Sequence, residues 1–393
     1  MQQVVLFFLL LLFIAYAALI VYYRQAWKAL TFYRAPVNKT LSTKITVIIP
    51  ARNEAANIAA CLNSLMQQSY PKDLFEVVVV DDFSTDNTAT VVSVYTDHQV
   101  KLISLKDFVS TPLNSYKKKA IEVAIAQSAG DLIVTTDADC TVPQNWLQTI
   151  ACFYEEKQPV FIAMPVSINF GNRFIEIFQA ADFMTLQGIT GAAIFKKLHS
   201  MCNGANMAYT KKVFTEVNGF KGVDTIASGD DMLLMHKIYK AYPNDVAFLK
   251  SRDVMVHTAP VTTIGQFFNQ RIRWASKAGK YDDKSIIAVL LLVYVFNLSL
   301  LILPVFALLK NTGYHIDIYP FNLQFSLFEF WLFLFLGKTA IELFFLFPVA
   351  RFFNKKNLLL WFPLLQPFHI VYTVIAGWLG RFGNYTWKGR SVT

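Results

Sequence analysis

Charge is what this chain has least of. Only 16% of its 393 residues are Asp, Glu, Lys or Arg, against about 25% in an ordinary soluble domain. A chain bathed in water along its whole length is therefore excluded. Cysteine is scarce too: Cys61, Cys140, Cys152 and Cys202 are the only four, and none are in C-x-x-C spacing. That excludes a disulfide scaffold and a thiolate zinc site, and fits reduced, buried thiols of a cytosolic domain. Internal repeats and low-complexity tracts are missing, so the chain is not a solenoid. The formal net charge of +9 suits nucleic acid, anionic lipid or an anionic substrate. No nucleic-acid module is present, which leaves a membrane surface and a phosphate-bearing substrate.

Apolar residues make up 54% of the chain, and they are concentrated in runs. Val4–Tyr23 is uncharged and long enough to span a bilayer. It lacks a basic start and continues past Ala15-Tyr16-Ala17, so it reads as an anchor rather than a cleaved signal. Arg24, Lys28 and Arg34 follow it, which puts the N-terminus outside and the next segment in the cytosol. Three further runs, Ile286–Leu309, Leu327–Val349 and Leu358–Leu379, come late in the chain. Pro363 and Pro367 are expected to break the last run, leaving its first half in the interface. Strict alternation places the tail outside, whereas Arg381, Lys388 and Arg390 argue for inside. Lys338 and Glu342 lie four apart within the third run, either as a structural ion pair or as a polar track for a lipid-linked substrate.

Between the runs lies a stretch with the pattern of an α/β domain. Thr46–Pro50, Phe75–Val80, Lys101–Leu105 and the run ending at Asp137 read as strands, near-continuously apolar and so covered on both faces. Helical spacing separates them: one helix runs to about Gln68, and another spans Lys117–Ser128, with Gly130 expected to cap its end. This alternation predicts a mostly parallel sheet. Polar clusters fall at the strand ends: Arg52 with Glu54, Asp81 with Asp82, and Asp137 with Asp139. In an open α/β sheet that edge binds ligands. Residues one apart on extended or turning backbone point the same way, so Asp137 and Asp139 suit a hard divalent cation. Asp86 reads as a helix cap. Further on, Ser228-Gly229-Asp230-Asp231 precedes an apolar helix, with Asp230 as the candidate cap. Thr262–Lys277 reads as an amphipathic helix on the membrane, with Ile264, Phe267, Phe268, Arg271 and Trp274. His257 is a lone histidine after an apolar strand, better suited to structure than to metal ligation.

Five pieces in order carry a family resemblance: Val-Ile-Ile-Pro-Ala-Arg-Asn-Glu (47–54), Val-Val-Val-Asp-Asp-Phe-Ser-Thr-Asp (78–86), Thr-Thr-Asp-Ala-Asp (135–139), Gly-Asp-Asp (229–231) and Gln-Arg-Ile-Arg-Trp (270–274). With these the chain resembles the membrane-bound family 2 glycosyltransferases of the GT-A fold. The resemblance implies that Glu54 and Asp82 hold the nucleoside of a nucleotide-sugar, most often UDP-linked. It implies that Asp139, assisted by Asp137, binds Mg²⁺ or Mn²⁺ at the diphosphate, and that Asp231 is the general base of an inverting transfer. Gln270, Arg273 and Trp274 match the Q-x-x-R-W signature at the acceptor and diphosphate end, and Arg52, Lys117, Asp230 and Arg271 join the substrate-binding set. Cys202–Asn206, read as preceding a helix, resembles the acceptor-side loop. Two positions depart from the pattern: Tyr116 stands where Gly is common before Lys117-Lys118, and Asp230 where Glu is commoner. The chemistry is coherent without the name: a guanidinium and a divalent ion stabilise a departing diphosphate, and a carboxylate takes the acceptor proton. Trp274 offers a face for a sugar ring, or else is an interfacial aromatic.

The expected organisation is an anchor at 1–24, a GT-A domain at 42–255, an interface helix at 256–285, about three membrane helices at 286–380 and a basic tail at 381–393. The expected setting is the cell (inner or plasma) membrane, multi-pass, with the catalytic domain cytosolic. The acceptor would be a glycolipid or a lipid-linked glycan. A processive polysaccharide synthase with an export or channel partner, and a non-catalytic nucleotide-binding scaffold, are the alternatives.

Overall fold

Unbroken runs of Val and Ile cannot leave either face of a strand in water, and in this chain they form the centre of a sheet. In the computed structural model, β1 (Ile45–Ala51), β2 (Phe75–Asp81), β3 (Val100–Ser104) and β4 (Leu132–Thr135) lie side by side and parallel, in the order β3-β2-β1-β4. Val47, Ile48, Ile49 and Val77–Val80 are fully buried. Past the very short β5 (Cys140–Thr141) come β6 (Phe161–Ala163), β7 (Val166–Ile168), β8 (Met207–Thr210), β9 (Val246–Phe248) and β10 (Val256–Thr258). The sheet continues β4-β8-β6-β9. β8 is antiparallel to both β4 and β6, while β9 is parallel to β6, so β8 alone runs against the rest. A second small sheet has the order β5-β10-β7. The structure describes residues 2–36, 39–96, 99–198, 201–276, 284–309, 315–318, 323–382, 385–387 and 390–392.

The helices are α1 (Gln2–Ala29), α2 (Ile58–Met66), α3 (Thr88–Ser93), α4 (Tyr116–Ala126), α5 (Trp146–Lys157), α6 (Phe174–Lys196), α7 (Lys211–Glu216), α8 (Met232–Ala241), α9 (Ile264–Ala275), α10 (Lys284–Leu309), α11 (Leu327–Phe352) and α12 (Leu358–Phe382). The chain forms two compact units: Leu30–Gly171 with Ile189–Val261 and Thr386–Thr393, and Met1–Ala29 with Asn172–Gly188 and Thr262–Tyr385. The first contains the large sheet.

Several local expectations change in the sheet unit. Gly130 does not cap α4, whose C-cap is Gln127. A Cβ at Gly130 would stand 2.5 Å from the Thr46 nitrogen, so glycine is there to let two backbones approach. β4 ends at Thr135, two residues before Asp137, and the Thr136 N–H donates to the Ile48 carbonyl as the chain leaves the sheet. The loop Cys202–Asn206 is followed by strand β8 rather than by a helix. Asp86 acts one residue outside the cap position: its Oδ1 accepts the Thr88 N–H at 3.0 Å, while Asn87 is the N-cap of α3.

In the other unit, α1, α10, α11 and α12 are each long and apolar enough to cross a membrane. α1 lies against α11: Trp27 meets the Phe352 ring edge-on at 5.4 Å, and Arg24 donates to the Phe344 carbonyl at 2.9 Å. α12 is continuous although Pro363 and Pro367 lie inside it. The carbonyl that the N–H of residue 367 would have used belongs to Pro363, so the two losses fall in consecutive turns rather than splitting the helix. The face of α9 expected to meet lipid is covered by protein instead. Phe267 is fully buried against Phe178 of α6 (5.5 Å) and Tyr372 of α12 (5.3 Å), and Arg271 is buried with it. Ile264 remains exposed. Lys277 and Lys388 lie outside the described residues.

Candidate active site

The carboxyl ends of β1, β2 and β4 carry the polar clusters. Pairing in register places Ala51 beside Asp81 and Ile48 beside Thr135, so the loops after these strands leave the same edge of the sheet. The first two loops are laced together. Arg52 donates to the carbonyls of Asp82 (2.9 Å) and Phe83 (3.1 Å), the Asn53 N–H donates to Ser84 Oγ, and Asn53 Oδ1 accepts the Thr85 N–H at 2.8 Å. Both turns have a non-glycine residue in the left-handed region, Asn53 at φ 52° and Phe83 at φ 53°. Strain of this kind persists only where neighbours hold it, and it clusters at functional sites. Glu54 is buried, with its Oε2 accepting from Asn57 at 2.8 Å.

The two adjacent aspartates at the end of β2, Asp81 as its last residue and Asp82 just after it, sit in different surroundings. Asp82 is 2% exposed and ties its N–H to the Ala51 carbonyl. Asp81 is buried, and its Oδ1 has no hydrogen-bond partner. A buried acceptor without a donor is costly, so Asp81 is the group here that a ligand N–H would satisfy. The sequence expectation named Asp82, and Asp81 stands beside it as a second candidate.

Asp137 and Asp139 flank buried Ala138; Asp139 is exposed and Asp137 partly so. Lys117, at the start of α4, bridges two carboxylates: Asp137 Oδ1 at 2.8 Å and Asp230 Oδ2 at 3.0 Å. Burial alone would lower the Lys117 pKa, but these two anions overcome it and hold the ammonium above the ordinary lysine range. Asp231, not Asp230, caps α8: its Oδ1 accepts the Met232 N–H at 2.7 Å and its Oδ2 accepts the Gly204 N–H at 3.2 Å. The loop of Gly204 is fixed in turn by Thr135, whose Oγ1 donates to the Gly204 carbonyl at 2.9 Å. A Cβ on Gly204 would lie 3.0 Å from Asp230 Oδ2 and 3.4 Å from Lys117 Nζ. Gly204 therefore belongs to the site, although nothing in its local sequence says so. The structure thus joins Asp137, Lys117, Asp230, Asp231 and Gly204 into one cluster from four separate segments.

For a divalent ion, Asp139 and Asp137 supply hard oxygen ligands, and the described residues contain no cluster of three or more ligating side chains. That donor set fits an ion completed by a ligand's own phosphate oxygens. The two thiols nearby are poor alternatives. Burial, followed by the Asp139 and Asp137 charges, pushes the Cys61 thiol well up, and Cys140 is raised by burial and the same two carboxylates. His257 is engaged by Asn169, with Nδ1 to Oδ1 at 3.2 Å.

The Q-x-x-R-W segment lies on α9 in the second unit. Arg271 Nη2 is 2.8 Å from Asp182 Oδ2, with both side chains under 5% exposed. Its guanidinium also stacks over Trp274, 4.3 Å from the ring centroid, so one face of that indole is taken. Gln270 Oε1 is buried without a hydrogen-bond partner, and Arg273 is half-buried.

Comparison with known proteins agrees with this geometry. A family model described as glycosyl transferase family 2 matches residues 46–217, and one described as glycosyl transferase family group 2 matches residues 132–379, more than half of the chain. The chain is 37% identical over 105 residues to glycosyltransferase AglE of Haloferax volcanii, covering 26% of this chain and 33% of that protein. It is 27% identical over 240 residues to the beta-monoglucosyldiacylglycerol synthase of Synechocystis, covering 59% of this chain and 47% of that protein. The matches thus span less than half the length of these relatives. Among solved structures, the mannosyltransferase PcManGT from Pyrobaculum calidifontis, in complex with GDP-Man and Mn²⁺, aligns over 96% of this chain and 99% of that one at a TM-score of 0.53 and 18% identity. At that identity the likeness is one of fold, an α/β GT-A architecture with apolar helices. By the extent of the second family match, the chain belongs to the family 2 glycosyltransferases.

Proposed function

We propose that the protein transfers a sugar from a nucleotide-sugar, UDP-linked, to an acceptor held at the membrane, with inversion at the anomeric carbon and dependence on Mg²⁺ or Mn²⁺. The observation that carries the reading is the carboxylate-rich cluster around Lys117, at the same carboxyl edge of the sheet as the unpartnered oxygen of Asp81. In this reading Asp81 and Glu54 take the nucleoside, with Asp81 Oδ1 accepting a base N–H. Asp82 and Arg52 fix the loop around it. Asp139 and Asp137 hold the divalent ion, which when bound neutralises charge on the diphosphate. Lys117 keeps Asp137 and Asp230 from repelling each other, and adds positive charge where the diphosphate leaves.

Asp231 is assigned as general base. The backbone N–H groups of Gly204 and Met232 fix the direction of its carboxylate. Asp230 is instead held by Lys117 at 3.0 Å. Gln270, Arg273 and Trp274 are assigned to the diphosphate and acceptor end by their motif, with Arg273 as the phosphate-binding guanidinium. Arg271 serves them by setting the position of Trp274. Four helices long and apolar enough to cross a membrane support a multi-pass membrane protein, and the basic residues Arg24, Lys28 and Arg34 after the first support a cytosolic sheet unit. A lipid acceptor is supported by those helices and by the name of the Synechocystis relative.

The test is a panel of UDP- and GDP-sugars in native membranes, with Mg²⁺ or Mn²⁺, comparing wild type with Asp231→Asn and Asp230→Asn. Turnover of one UDP-sugar into an organic-extractable product, lost in Asp231→Asn and retained in Asp230→Asn, supports the assignment. An insoluble polymer as the only product overturns the lipid acceptor. Absence of turnover, with nucleotide binding intact by calorimetry, favours a scaffold.

A further inference from the structure

Residues 217–231 join α7 to α8 as a succession of turns and bends. Asn218, Gly219, Gly222 and Gly229 take positive φ along the way. A stretch outside any helix or strand ladder satisfies its backbone through side chains and turns, and keeps its shape through what it is tied to. This one ends on Asp230 and Asp231, so whatever ties it also brings the two carboxylates to their places.

Two lysines tie it by its carbonyls. Lys237, on α8, donates to the carbonyls of Gly219 at 2.5 Å and Lys221 at 2.9 Å. Lys118, on α4, donates to the carbonyls of Val223 and Ile226, each at 2.6 Å. Ser115, the N-cap of α4, donates to the Asp224 carbonyl between them. Lys118 is only 1% exposed, and a charged donor shielded from water holds its acceptors strongly.

The two clamps differ in what they fasten the stretch to. Lys237 ties its start to α8, the helix that Asp231 itself caps, so that clamp travels with the carboxylate. Lys118 ties the part nearer Asp231 to α4, where the neighbouring Lys117 holds Asp137 and Asp230. The first turn of α4 therefore grips both the loop of Asp137 and the stretch leading to Asp231. The N–H groups of Gly204 and Met232 aim the Asp231 carboxylate; Lys118 holds the backbone that delivers it.

We propose that Lys118 is a positioning residue for the transfer: by clamping Val223 and Ile226 to α4, it sets the place of Asp231 relative to the loop of Asp137 and Asp139. This rests on the reading of Asp231 as general base and goes beyond it in naming the group that places the base. A base must meet the acceptor hydroxyl at hydrogen-bond distance, and a misplacement of about 1 Å costs about 10²-fold in rate.

The test compares Lys118→Met with Lys237→Met in the full chain, with Asp231→Asn alongside. Amide hydrogen exchange over residues 217–231 should rise in both lysine variants, showing that each clamp has been released. Calorimetry with UDP and Mn²⁺ should give wild-type stoichiometry and affinity in both, showing that fold and donor site are intact. In Lys118→Met, kcat should fall about 10- to 100-fold at unchanged donor KM, while Lys237→Met stays within about twofold of wild type. An equal fall in both lysine variants, a change in KM in place of kcat, or wild-type kcat in Lys118→Met overturns the proposal. So does unchanged amide exchange in Lys118→Met. If Lys118→Met loses UDP stoichiometry, Ser115→Ala takes its place: a fall in kcat of about threefold at constant KM is expected from one lost neutral hydrogen bond, and wild-type kinetics overturn the proposal. Transfer retained in Asp231→Asn overturns the base assignment and the proposal with it, whereas the other adverse outcomes leave the base assignment standing.

Discussion

A lysine sits against carboxylates in each of the two units, and the two surroundings differ in charge balance and in access to water. Lys117 bridges Asp137 and Asp230, with side-chain exposures of 20%, 37% and 12%. Carboxylates outnumber it, since Asp139 and Asp231 stand nearby in sequence and structure. Lys338 is fully buried against one carboxylate, Glu342, whose remaining lone pairs go to Gln366 and Tyr16. Excess negative charge, partly open to water, suits the cation and anionic ligand of the proposed chemistry. Balanced charge sealed from water is a strut, because in low dielectric an unmatched charge costs far more than it returns. Arg271 and Asp182 follow the second pattern, although the Q-x-x-R-W segment that contains Arg271 suggested the first.

Removing groups of the open cluster should abolish chemistry while sparing the fold. Asp231→Asn and Asp139→Asn are expected to lower transfer by about 10² to 10⁴-fold. Initial rates with saturating donor would measure this, and circular dichroism in detergent should be unchanged. The sealed pair should respond in the opposite sense. Asp182→Asn or Arg271→Met alone strands a buried charge and is expected to cost about 3–5 kcal/mol of stability. The Asp182→Asn/Arg271→Met double variant should be more stable than either single one, which thermal unfolding of the purified chain would read. A double variant no better than the singles would sink the view that the pair is held by mutual compensation.

Lys117→Met sharpens the contrast from the other side. Asp137 keeps access to solvent but Asp230 is buried, so the stability change should lie between that of an exposed pair and that of the sealed one, about 1–3 kcal/mol, while donor turnover falls and the metal concentration for half-maximal rate shifts. A smaller effect is expected from Lys250, in the sheet unit. Burial lowers its pKa to about 8 from the ordinary lysine value. The folded state then binds fewer protons than the unfolded chain above pH 8, so its unfavourable contribution, fully present below pH 8, should fade as pH rises towards about 10.5. Lys250→Met should flatten that part of a stability-versus-pH curve. An unchanged slope would mean that the lysine keeps its charge through its bond to the Leu30 carbonyl.

Much of this was legible in the chain itself. The strands from Ile45, Phe75, Val100 and Leu132 follow from local runs of β-branched residues, and the four long helices from apolar length, since both patterns are repeated along neighbouring residues. The five family motifs are also local, and they led to the correct family and fold. Local reading could not separate two like residues that are adjacent, or find a partner that lies far away in sequence. Adjacent aspartates look alike on paper; only the sheet edge leaves Asp81 Oδ1 unpartnered while Asp82 ties the loop. Asp230 and Asp231 are divided by Lys117 and by the first turn of α8. Arg271 reads as one more basic residue on an amphipathic helix until Asp182, 89 positions earlier, is seen 2.8 Å away. Sequence by itself determined the elements and the kinds of chemistry present, because propensity and hydrophobic pattern are local. Which oxygen is open, which charge is matched and which helix face meets protein were decided by the tertiary structure, because a side chain's energy depends on what surrounds it in space.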